Sequence, residues 1–178
     1  MAEAKKKMDE LVIRKARPEE AAALAEAERV IARTPGRLAS RPEELKDADF
    51  AQKILALGQS ETGLFVVAEH RGTLVGHAIL DPLKLAVTAH VVVLTIAIHE
   101  GYQGRGFGRE LMTHLIAWAR ANPKIDKFEL QVRSSNERAI ALYKSLGFVE
   151  EGRKLRRLKY GPGSYLDDLY MALWVGPS

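Results

Sequence analysis

The chain has 178 residues and no cysteine, with 47% apolar and 28% charged side chains. That length suits one domain with a core of its own, and the composition excludes a disordered chain, a fibrous repeat and a disulfide-stapled miniprotein. The 27 Lys and Arg against 23 Asp and Glu give a formal net charge of +4, modest for a dedicated nucleic-acid binder and compatible with an anionic small-molecule ligand.

Residues Met1 to Glu10 mix lysines with acids and contain no apolar stretch of the kind a secretory signal needs. The longest near-continuous apolar run, Val91 to Ile98, is far short of the ~20 residues of a membrane helix. The expectation is a cytoplasmic protein with residues 1–10 as a flexible tail and residues 11–178 as a single domain. Leu11 to Arg14 reads as a first strand. Pro18-Glu19-Glu20 then opens a helix that runs to about Arg33, since Pro suits a helix start and acids suit its first turn. Thr34-Pro35-Gly36 breaks it, and Ser40 to Glu44 offers a cap and restart for a second helix to about Leu57.

Leu64 to Glu69 and Leu74 to Leu80 flank His70-Arg71-Gly72-Thr73 as two arms of a hairpin. His90 to Ile98 is β-branched and apolar, a strand for the middle of a sheet covered on both faces. From Gly106 the spacing turns helical, with Phe107, Leu111, Leu115 and Trp118 on one side, until Asn122-Pro123. Lys127 to Arg133 alternates as a half-exposed strand, and Ser134 to Glu137 caps another helix that ends at Gly147. Gly161-Pro162-Gly163 marks the turn of a closing hairpin whose second arm is Tyr165 to Trp174. The sum is a mixed α/β domain.

Gln103-Gly104-Arg105-Gly106-Phe107-Gly108 joins the buried strand to a helix start. Glycines there allow close approach of the main chain, and exposed N–H groups with the helix dipole favour a phosphate or pyrophosphate. No Lys-Ser or Lys-Thr pair follows, so the loop is not a Walker loop. Arg109 stands where the last glycine of a dinucleotide fingerprint would fall. The pattern that fits is Gln/Arg-x-x-Gly-x-Gly/Ala, through Gln103, Gly106 and Gly108. Downstream, Asn136, Ala139, Tyr143, Gly147 and Phe148 fit Asn-x-x-Ala-x-x-x-Tyr-x-x-x-Gly-Phe throughout. Seven residues separate Asn136 from Tyr143, which on a helix puts them within about 20° of each other and about 10.5 Å apart along the axis.

With these two motifs the chain resembles the GNAT superfamily of N-acetyltransferases. The resemblance spans most of residues 11–148 and is looser over 149–178. It implies a mixed, mostly antiparallel central sheet of about seven strands with about four helices, and acetyl-coenzyme A as cosubstrate. It also implies roles. The loop Gln103 to Gly108, including Gly104, Arg105 and Phe107, would bind the pyrophosphate. Backbone groups of Ile96, Ala97 and Ile98 would hold the pantetheine amide, and the Ile98 N–H would stabilise the oxyanion. Asn136 would contact the pantetheine arm, and Tyr143, ordinarily protonated with a pKa of about 10, would be the general acid for the departing thiolate.

The base has no such candidate. The central strand carries no acid, which leaves His90 or a water chain. His77, His99 and His114 have no metal-ligand spacing, so no metal is expected. Asp167 and Asp168 in the closing strand are candidates for holding an ammonium group, only one of them facing inward. The run Tyr165, Asp167 and Met171 is similar to the tails of members that act on small amines and amino acids. The leading reading is therefore acetyl transfer to a small primary amine such as an amino acid or polyamine. Beside it stand an acetylase of protein N-termini or lysines, a non-catalytic acyl-coenzyme A sensor, and a nucleic-acid binder using Arg153 to Lys159. Neither nucleic acid nor membrane is expected as a partner; a homodimer through the last strands fits the resemblance. The connection from Arg33 to Leu57 is the part that would separate an enclosed small-molecule pocket from an open peptide groove.

Overall fold

The computed structural model describes residues 11–177; the N-terminal tail expected over residues 1–10 and its Lys5-Lys6-Lys7 cluster lie outside them. Seven strands form one sheet in the order β1-β2-β3-β4-β5-β7-β6. These are β1 (Leu11–Lys15), β2 (Leu64–His70), β3 (Thr73–Pro82), β4 (Val91–Ile98), β5 (Lys127–Arg133), β6 (Val149–Gly161) and β7 (Ser164–Trp174). Every neighbouring pair is antiparallel except β4 and β5, which run parallel. Among the described residues, four α-helices accompany the sheet: α1 (Ala21–Ala32), α2 (Asp47–Gly58), α3 (Phe107–Arg120) and α4 (Glu137–Ser145).

Alternation along the inner strands divides the core in two. Phe65, Val67 and Ile79 meet Leu24, Phe50, Ile54 and Leu57 of α1 and α2 on one face. Val66, Ala68, Leu80, Val92 and Leu94 meet Leu111, Met112 and Leu115 of α3 on the other, where α4 adds Ala139, Leu142 and Tyr143. The β2–β3 turn forms as expected, with Arg71 and Gly72 both at positive φ.

Two expectations need correction. The second helix does not restart at Ser40: Pro42–Glu44 makes one tight turn, Leu45 and Lys46 are extended, and α2 begins at Asp47. Proline fixes a local turn, but Leu45 leaves it for the core beside Phe50 and interrupts the helical path. Nor is β4 covered along its whole length. Val91, Val92 and Leu94 are buried, whereas Thr95 is exposed and Ile96 and Ile98 are half-buried. The cause is the pairing. β4 and β5 are in register only from Val91 with Lys127 to Leu94 with Leu130, while β3 continues beside β4 to Ile98. Beyond Leu94 the two parallel strands separate, and one edge of β4 opens onto a cleft.

Candidate active site

The cleft has two chambers that share Arg37, Leu38, Ile96, Asn136 and Tyr143. The first, of about 420 Å³, runs between the end of β4 and the starts of α3 and α4. Gly104 and Gly106 take φ of +87° and +89°, conformations that non-glycine residues adopt with strain. Gly106 caps α3, and its carbonyl receives the N–H groups of Arg109 and Glu110. The N–H groups at the very start of that helix therefore have no partner within it. Arg37, Arg109 and Arg138 line this chamber, and no carboxylate does among its described residues. Its donors and charges suit a polyphosphate.

Of the residues singled out in the sequence, Ile96, Ala97, Ile98, Gln103, Gly104, Gly106, Phe107, Gly108, Asn136 and Tyr143 line this chamber. Arg105 does not: its guanidinium lies 5.3 Å from the centre of the Tyr102 ring. The Gln103 side chain turns back on its own loop and donates to the Ile98 carbonyl at 3.1 Å. Asn136 is the cap of α4 and not an interior residue, its Oδ1 accepting from the Ala139 N–H at 3.2 Å, so the seven-residue helical spacing to Tyr143 holds only approximately. Arg138 falls at a variable position of the Asn-x-x-Ala motif, so no motif marks it. Its guanidinium sits 3.4 Å from where a Cβ on Gly104 would be.

The second chamber, of about 300 Å³, fills the gap between the separating ends of β4 and β5. Residues 37–40 form its roof. That loop is fastened by Tyr160 Oη donating to the Leu38 carbonyl at 3.0 Å and by Arg37 with Glu100 at 3.3 Å. Gly36 passes so close to Leu166 that a Cβ would meet its Cδ1 at 2.9 Å. Glu28 of α1, Thr95, Gln131 and Arg133 lie in the walls. Tyr143 stands between the chambers, buried against Phe148, and burial pushes its hydroxyl up to about 12.

The acids expected to hold an ammonium are elsewhere. Asp168 is buried and accepts from Arg133 Nε at 2.8 Å, while Asp167 accepts from the Arg156 backbone N–H at 2.8 Å. Among the described residues, Glu28 is the one carboxylate in the wall of the second chamber. Its sequence signal was position: it falls on the buried stripe Ala21, Leu24, Ala25, Glu28 and Ile31 of α1. His90 is at the wrong end of β4, six residues and thus about 20 Å from Ile96.

Glu28 is also joined to histidines. Its Oε1 is 2.8 Å from His77 Nε2, His77 Nδ1 is 3.0 Å from His99 Nε2, and His99 Nδ1 is 3.0 Å from the Leu74 carbonyl. Each contact uses a different ring nitrogen, so the groups form a chain and do not converge as metal ligands would. Burial, reinforced by the His77 ring, holds His99 down to about 4.

Residues 23–148 match the sequence profile of the acetyltransferase (GNAT) family. The chain belongs to that family. It is 41% identical to the N-alpha-acetyltransferase RimI of Mycobacterium tuberculosis over 96 residues, 54% of this chain and 57% of that one. It is 32% identical to the L-amino acid N-acetyltransferase AaaT of Escherichia coli over 101 residues, 57% of this chain and 62% of that one. The chain thus spans about three fifths of these curated relatives. The structure of yncA from Salmonella typhimurium with its cofactor acetyl-CoA superposes with a TM-score of 0.83 over 95% of this chain and 96% of that one, at 23% identity. Among the described residues, no helix of this GNAT domain is long and apolar enough to cross a membrane.

Proposed function

We propose that this GNAT domain transfers the acetyl group of acetyl-CoA to the primary amine of a small amino-acid-like molecule. The first chamber takes the cosubstrate: the start of α3 with Arg109 and Arg138 binds phosphates, and the open edge of β4 at Ile96 to Ile98 pairs with the pantetheine amides. The thioester then comes to the boundary marked by Tyr143. An acceptor in the second chamber attacks the thioester carbon, a C–N bond forms, and the C–S bond breaks. Tyr143 gives its proton to the leaving sulfur and recovers one from the new amide nitrogen. A hydroxyl held near 12 keeps its proton at neutral pH and releases it only as negative charge appears on sulfur.

The observation that carries the choice of acceptor is that Glu28 shares the walls of one chamber with Arg133, whose Nε is held by Asp168, and with Arg37, which also contacts Glu100. A carboxylate suits an ammonium, and guanidinium groups suit a carboxylate on the same molecule. Two arginines disfavour a polyamine. The loop of residues 37–40 across the chamber favours a small molecule over a continuous peptide. The identity to RimI supports a second reading, the α-amine of a protein N-terminus, which presents the same ammonium with a carbonyl in place of a carboxylate. A cytoplasmic location belongs to the same proposal, because the acetyl-CoA it requires is an intracellular metabolite.

The test is free-thiol release from acetyl-CoA with alanine, alaninamide, spermidine and an alanine-initiated peptide. The proposal expects alanine to turn over with the highest kcat/KM and alaninamide to lose at least about 10-fold, the worth of one charge-assisted contact. A peptide that exceeds alanine moves the assignment to protein N-termini. Thiol release with none of the four overturns the small-amine reading.

A further inference from the structure

We propose that Glu28, His77 and His99 form a one-proton relay whose Glu28 end, in the wall of the acceptor chamber, takes the proton the amine must lose. This rests on the acetyl-transfer reading above and supplies the base that the central strand lacks.

The proton count follows from the hydrogen bonds alone. The Leu74 carbonyl can only accept, so His99 Nδ1 carries the hydrogen of that bond. The His77–His99 and Glu28–His77 contacts each hold one more. A carboxylate and two rings stripped of protons carry three negative charges, and the three bonded protons cancel them. The fully bonded chain is therefore neutral wherever its protons sit, which suits a site this buried. With His99 neutral, the mobile proton belongs to Glu28 and His77. They are either a carboxylic acid facing an imidazole or a carboxylate facing an imidazolium, and both forms have the same net charge.

In the carboxylate form Glu28 can act on the acceptor. One N–H bond of the bound ammonium breaks, its electron pair stays on nitrogen, and an O–H bond forms on the Glu28 carboxyl. The positive charge passes from the substrate to the protonated Glu28–His77 pair, so the total charge of chamber and substrate does not change. The neutral amine attacks the thioester as described above. Glu28 returns its proton to water once product has left, which gives the overall balance of one amide, one thiol and one released proton per ammonium and thioester consumed. Glu28 is then a catalytic residue, and His77 and His99 are positioning residues that fix its carboxyl and share its proton.

The surroundings leave Glu28 this duty. Arg133 from β5 is held by Asp168 from β7, Tyr143 from α4 lies at the boundary of the two chambers and serves the leaving sulfur, and Arg37 belongs to the loop of residues 37–40 and contacts Glu100. From α2 and β2 the rings of Phe50 and Phe65 pack on His77 at 6.2 and 5.9 Å between centres.

Glu28→Gln is the decisive variant. A glutamine amide can donate to His77 Nε2, so the chain stays bonded and neutral, but the side chain can no longer take a proton. The expected result is a fall in kcat of about 10²- to 10³-fold near pH 7, with unchanged acetyl-CoA affinity and Tm, and recovery toward high pH, where the amine loses its proton to solvent. His77→Gln should displace the acid limb of the pH–rate profile without altering the KM for acetyl-CoA. A Glu28→Gln protein with the parent's kcat and pH profile overturns the proposal. An activity-independent check is the side-chain 15N spectrum of histidine-labelled protein. The relay requires His99 as the neutral Nδ1–H form from about pH 5.5 to 8 and a His77 signal that moves in Glu28→Gln. Two rings that titrate independently, indifferent to that substitution, overturn it. A parent protein that acetylates no amine overturns the acetyl-transfer reading and the role of Glu28 in it, while the spectra test the proton count separately.

Discussion

Glu28, near the end of α1, and His77, inside β3, are 49 residues apart in sequence and meet carboxylate to ring nitrogen at 2.8 Å. Both side chains are buried, His77 completely, and His99 extends the contact to the Leu74 carbonyl. Buried polar groups of this kind persist where each has a partner, and here each bond satisfies the next. The arrangement ties α1 to the strand edge that opens the cleft. Stability and chemistry therefore depend on the same few groups.

Acidification should expose this dependence. His99 titrates near 4 when folded against about 6.5 in an unfolded chain. Between those values the unfolded state binds the extra proton and the folded state does not, so stability falls as pH falls. Above the unfolded value the contribution is fully present, and below about 4 the loss is complete, on the order of 3 kcal/mol from this group. Urea unfolding across this range should show the midpoint declining with pH, and His99→Gln should flatten that slope.

Tyr143→Phe removes the proton donor and leaves the ring that packs on Phe148 at 5.8 Å. The expected outcome is a kcat lower by about 10²-fold or more with acetyl-CoA affinity unchanged, read by steady-state kinetics and calorimetry. Since the hydroxyl is held near 12, the parent should show no decline in kcat from its ionisation across the ordinary alkaline range.

Gly106→Ala tests the loop without steric interference, because no atom lies within 4 Å of the added Cβ. The strain of a positive φ should cost about 1–2 kcal/mol. Acetyl-CoA affinity should fall with it, since the same turn aims the first N–H groups of α3. Thermal unfolding with and without the cosubstrate separates the two effects.

Arg138→Ala should raise the acetyl-CoA dissociation constant about 10-fold, in line with loss of one charge-assisted contact. The affinity of the variant should also depend less on ionic strength than that of the parent. An unchanged salt dependence would remove Arg138 from the phosphate site.

Asp168→Asn should destabilise the fold by roughly 3–5 kcal/mol, because it leaves the Arg133 guanidinium without its charge partner in a largely buried setting. Guanidinium chloride unfolding measures this directly.

The sequence by itself determined the family, the order of strands and helices along the chain, and the glycine loop that leads into α3. Those features are local: Gly104, Gly106 and Gly108 lie within one turn, Asn136 to Phe148 is one helix with its ends, and periodicity declares which face is apolar. It did not reveal that Arg105 lies against Tyr102, that Asp168 belongs to Arg133, or that His90 lines neither chamber, because side-chain direction depends on neighbours in space. Tertiary structure alone decided the second chamber. The separation of β4 from β5 after Leu94 and Leu130, the roof fastened by Tyr160 to Leu38, and the meeting of Glu28, His77 and His99 all join distant segments. A lone glutamate on a helix and two scattered histidines have no local signature. Their chemistry appears only when packing removes water and leaves each as the other's partner.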